Sequence, residues 1–90
     1  MLRAFVRDGR LLAFPSQQSK RRIVLEHIAC SFEPGRRHTE RDLTAVLAAW
    51  CEGGKADHVT LRRYLVDEGL LSRADGVYWR SGGSLDDLAG

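Results

Sequence analysis

Apolar positions change their spacing along the chain, and each change marks an element. Ala4-Phe5-Val6 and Leu11-Leu12-Ala13-Phe14 are short continuous runs on either side of Arg7-Asp8-Gly9-Arg10. Asp-Gly accepts the positive φ of a two-residue turn, so residues 2–14 are predicted to form a β-hairpin. Pro15 ends the second run, because it has no N–H to give a ladder. A lone hairpin is marginal in water, so this one is expected to pack on helices. Leu25, Ile28, Ala29 and Phe32 then recur at intervals of three and four, with Val24 beside them. That spacing predicts a helix from Ser16 or Ser19 to about Phe32, with Arg22, Glu26 and Cys30 outward. Glu33-Pro34-Gly35 breaks it, and Arg36-Arg37-His38 is expected as a short bridging strand. Thr39 caps a second helix, whose stripe is Leu43, Val46, Leu47 and Trp50.

The stretch from His58 to Arg80, HVTLRRYLVDEGLLSRADGVYWR, reads as a helix, a glycine stop and a tight hairpin. Asp57 is a suitable N-cap and Gly69 a suitable left-handed residue past the helix end. Leu70 and Leu71 open a strand, Ala74-Asp75-Gly76 turns it, and Val77-Tyr78-Trp79 return. The whole predicts an α+β winged helix-turn-helix: three helices, a C-terminal wing hairpin at 70–80 and an extra N-terminal hairpin. One domain over 1–80 is expected, then a flexible tail at 81–90 in which Leu85 and Leu88 could dock as one helical turn.

On the third helix, Leu61, Leu65, Val66 and Val59 spread over one broad arc that also takes in Arg62 and His58. Thr60, Arg63, Tyr64 and Asp67 fall outside it. Arg62 is therefore expected to be structural, paired to Glu40 or Asp42, and less exposed than Arg63. Arg63 would be free to reach a phosphate or a guanine edge. Trp50 and Trp79 are both expected in the core.

Ninety residues allow one core. The net charge of +2 is uneven: residues 1–37 hold eight Lys/Arg against three Asp/Glu, and residues 38–90 hold six against nine. The basic surface thus lies early in the chain. No apolar run is long enough to cross a bilayer, and Asp8 and Arg10 interrupt any leader-like start, so a cytoplasmic protein with no membrane partner is expected.

Four stretches, FVRDGRLLAFPS at 5–16, VLEHIACSFEPGRRHTERDL at 24–43, HVTLRRYLVDEGLLSR at 58–73 and GVYWR at 76–80, together resemble the family called domain of unknown function 2087. The resemblance implies a winged-helix-like fold and a role in transcription regulation, in chains that carry the domain alone or behind ArsR-type regulators. It implies no catalytic residues. This sequence departs from the family pattern at Gly53-Gly54-Lys55, where an Asp-rich stretch with Phe or His is typical.

Double-stranded DNA is the leading candidate partner. Thr60, Arg63 and Tyr64 would meet bases, Arg73 and Arg80 flank the wing, and Lys20, Arg21, Arg36 and Arg37 could touch backbone phosphates. The alternative is a protein-interaction or effector-sensing module without DNA binding, partnered by a second copy or a regulator chain. Tyr78, Trp79 and the N-terminal hairpin edge would carry it. For a metal, His27 and Cys30 share one helix face, but His38, Cys51 and His58 supply no second matched pair. No phosphate-cradling glycine loop or nucleophile–base pair points to an enzyme, and no cofactor is expected.

Overall fold

The computed structural model describes residues 2–81, where eight regular elements follow a 3-10 turn at Leu2–Ala4. Strands β1 (Val6–Arg7) and β2 (Arg10–Leu11) pair antiparallel, with Val6 opposite Leu11. Asp8 at φ 52° and Gly9 at 73° make the turn between them. This hairpin is shorter than residues 2–14 because the chain is used elsewhere on both sides. Leu2–Ala4 winds up, and although the Leu12 N–H still reaches the Phe5 carbonyl at 2.7 Å, the Leu12 carbonyl accepts from the Lys55 N–H at 2.8 Å.

Helix α1 runs Gln18–Ala29. Neither Ser16 nor Ser19 caps it; Gln17 holds the N-cap position without a side-chain bond. It stops three residues before Phe32, as Ser31 and Phe32 donate to the carbonyls of Ile28 and Ala29 in tight turns. Strand β3 (Arg37–Thr39) begins one residue later than expected and passes directly into α2 (Glu40–Cys51). The Thr39 hydroxyl oxygen accepts from the Asp42 N–H at 3.1 Å, so the residue that ends the strand also starts the helix.

Helix α3 (His58–Asp67) carries the expected cap: Asp57 Oδ1 accepts from the Val59 N–H at 3.0 Å. At its other end Gly69, at φ 73°, donates to the Val66 carbonyl while Leu70 donates to that of Leu65. That pair of bonds is a Schellman stop, and it turns the chain into β4 (Leu71–Ala74). Asp75 at φ 52° and Gly76 at 74° repeat the geometry of the first hairpin and lead into β5 (Val77–Arg80). The sheet has the order β3-β5-β4, all antiparallel, with Tyr78 opposite His38 on one side and Arg73 on the other. Ser81 is held to this sheet through its N–H to the Leu70 carbonyl and its hydroxyl to Ser72. The rest of the expected tail, with Leu85 and Leu88, lies outside the described residues.

The core joins all the layers. Leu11, Val24, Leu25, Ile28, Leu43, Leu47, Leu61 and Leu65 are fully enclosed, and Leu71 and Tyr78 close it from the sheet. Truncating one such leucine to alanine costs roughly 2–5 kcal/mol, a large part of the margin of a small domain. Four expected core positions differ. Val46 and Val59 are exposed, at 38% and 51%. Trp50 is half-buried at the core margin, its ring edge-on to His27. Trp79 lies on the outer face of the sheet, because its neighbour Tyr78 takes the inward place in the alternating strand. Among the described residues, no helix is long and apolar enough to cross a membrane.

The link between α2 and α3 is fastened to the N-terminal hairpin. A Cβ at Gly54 would collide with the backbone carbonyls of Leu11 and Leu12, so only glycine lets the two segments meet. Backbone on both sides leaves nothing flexible to move. Gly54→Ala is expected to lower the thermal midpoint by several degrees, in line with roughly 1 kcal/mol per 4–8 °C for a domain of this size. Gly53→Asn is the control: Gly53 needs only a positive φ and has open space around it, so its midpoint should move little. Thermal unfolding of the two variants checks the contact.

The cap of α3 also predicts a pH dependence. Hydrogen bonds from the Thr60 hydroxyl and the Val59 N–H hold the Asp57 carboxyl below its ordinary value of 3.8. A depressed carboxyl stabilises the fold above that ordinary value and loses its effect as pH falls through the lower folded one. Wild type should therefore unfold at a higher temperature than Asp57→Asn at neutral pH, with the gap closing in acid. Melting curves across that range read the outcome.

Candidate nucleic-acid interface

The rotation of α3 decides what the domain presents. Leu61 and Leu65, four residues apart and fully buried, define its inward side. At about 100° per residue, Arg63 then lies roughly opposite that side, with Arg62 and Tyr64 on the two flanks. The outward stripe is Val59, Arg62, Arg63 and Val66, at spacings of three and four. With Asp67, and with Arg73 and Tyr78 from the sheet, it lines an open groove of about 250 Å³.

Arg62 occupies the sheet-side flank. Its Nη1 donates to Glu40 Oε1 at 3.0 Å, and its guanidinium lies 6.0 Å from the Tyr78 ring centre. Arg73 approaches the same ring at 5.6 Å. Tyr78 is thus flanked by one arginine from α3 and one from β4. Arg62 is the less exposed of the α3 arginines and is paired to Glu40, as its sequence position indicates. An ion pair this exposed contributes at most about 1 kcal/mol, so its effect is to hold the side chain in place. Arg63 is exposed and makes no ion pair among the described residues.

Several expected contact residues are already engaged. Tyr64 packs edge-on to Phe14 at 5.0 Å, and Arg21 covers its ring at 4.7 Å. That interlock holds the start of α1 against α3 and removes both residues from the outward surface. The Thr60 hydroxyl donates to the Asp57 carboxylate, so it belongs to the helix cap. Arg80 reaches back to the Phe32 carbonyl at 3.3 Å and to Cys30 Sγ at 4.0 Å, on the inner face of the sheet. Arg36, Arg37 and Lys20 are exposed, but Arg37 covers Trp79 at 4.7 Å on the outer sheet face.

The site therefore gathers Arg63 and Arg73 from the expected set and adds Val59, which the apolar arc had assigned inward; Val66 also lines the groove but keeps part of its side chain against the core, as the arc indicates. The signal that places Val59 outward is the buried pair Leu61 and Leu65, one turn apart; Val59 widened the arc by its hydrophobicity alone.

Arg22 keeps α3 in position from behind. Its Nε donates to Glu26 at 2.9 Å, and its Nη1 bonds both the Glu68 backbone oxygen and carboxylate at 2.8 and 3.0 Å. These carboxylates raise the Arg22 pKa. The second groove, where Arg22, Glu26, Cys30 and Arg80 meet, is thus lined by charges that already have partners. Among the described residues, no three His, Cys, Asp or Glu side chains gather as a metal would require. Cys51 is buried, and desolvation, helped by the Asp57 charge, pushes its thiol up.

A family model described as an uncharacterized protein conserved in bacteria (DUF2087) matches residues 10–80. No curated protein and no solved structure matches the chain. The matched span runs from β2 through β5, taking in all three helices, the groove and the sheet, and the chain belongs to this DUF2087 family of uncharacterized bacterial proteins.

Proposed function

We propose that the protein is a DNA-binding transcription regulator that lays α3 in the major groove, with β4 and β5 as the wing. The observation that carries this reading is the outward stripe of α3. A helix whose inward side is sealed by Leu61 and Leu65 leaves Arg63 unpaired among the described residues, and Arg73 stands beside it on the wing. In helix-turn-helix docking, residues near the start of the second helix meet base edges and arginines supply the phosphate contacts. The proposed role is binding, without catalysis or a cofactor. Arg36 and Lys20 are further candidate phosphate contacts, while Arg21, Tyr64, Thr60 and Arg80 support the scaffold.

One observation favours a second reading, protein docking without DNA. Trp79 and Arg37 form an aromatic–cation pair on the outer sheet face, where the fold itself makes no use of it.

Fluorescence anisotropy with random duplex DNA across a salt series separates the two. Under the regulator reading, affinity falls steeply with salt. Arg63→Ala and Arg73→Ala should each weaken binding and reduce the log–log salt slope by about 1. Arg21→Ala should lower the thermal midpoint and leave that slope unchanged. Absence of binding at the lowest salt selects protein docking.

A further inference from the structure

Val59 packs on nothing in the core; Ile23 and Val46 are exposed as well, but of the three Val59 alone lines the groove beside α3. It stands in the first turn of α3, is 51% exposed, and lines the groove one turn ahead of Arg63. A β-branched apolar side chain is favoured there by neither helix propensity nor solubility, and its place in the groove gives it a surface to offer. The flanking residues sharpen the point. Asp57 fixes the helix start through the Val59 N–H itself, and Thr60 is tied to the same carboxylate. The side chain of Val59 is thereby held on a rigid first turn beside a cation.

Resting on the regulator reading above, we propose that Val59 is a specificity-determining residue that packs on the C5-methyl of a thymine, while Arg63 reads a guanine beside it. Among the base edges of the major groove, the thymine methyl is the apolar feature, and guanine offers the paired acceptors that an arginine fork matches. Four helical residues rise about 6 Å, or nearly two base-pair steps of about 3.4 Å, when the helix follows the groove. The site read by α3 therefore contains a thymine and a guanine about two steps apart.

The test begins with duplexes selected from a random pool by the wild-type protein, followed by replacement of each thymine with deoxyuridine, which removes only the methyl. One replacement should weaken wild-type binding about threefold to fourfold, the effect of one buried methyl group. Val59→Ser should bind the thymine and uracil duplexes equally while melting close to wild type, since the side chain is exposed. Wild-type binding that is insensitive to every replacement, or discrimination that survives in Val59→Ser, overturns the thymine contact and leaves DNA binding standing. If no duplex is selected even at low salt, the regulator reading falls and this contact with it.

Discussion

Leu61 and Leu65 sit one turn apart on α3, both closed off from solvent, and the orientation of every other residue on that helix follows from them. A ten-residue helix has little intrinsic stability, so its rotation is set by what it buries. With these two leucines seated, Arg63 faces away, Tyr64 meets Phe14 and Arg21 on one flank, and Arg62 meets Glu40 and Tyr78 on the other. The flank contacts are individually weak. Together they resist rotation in either direction, and Arg22 fixes the far end through Glu68.

Helix ends and turns were legible in the residues because they are local. Asp57, Thr39 and Gly69 each act through backbone groups within a few positions, and both Asp-Gly pairs take the angles their turns require. The element order, and hence the α+β winged arrangement, followed from those signals. Helix α1 was less well bounded, since its serines are plausible caps by type and neither is used.

What was not legible depends on partners distant in the chain. Val59 and Val46 look like core residues from hydrophobicity and periodicity, and only the packed neighbours show which apolar positions have a surface to cover them. Trp79 is a similar case: alternation places it opposite Tyr78, but residue type alone cannot say which of the two aromatics goes inward. Arg21 and Arg80 carry charge that suggested phosphate contacts. Their targets, the Tyr64 ring and the Phe32 carbonyl, lie 43 and 48 residues away along the chain, beyond any local pattern.

The three-stranded sheet leaves β3 and β4 as its rims, and both are short. Each rim bears an exposed arginine, Arg37 at the start of β3 and Arg73 inside β4. Unpaired strand backbone invites pairing with a neighbouring molecule, and a bulky cation there repels an identical copy. A rim guarded by a guanidinium is a poor template for a twin strand, so the charges on β3 and β4 disfavour edge-to-edge stacking of like molecules.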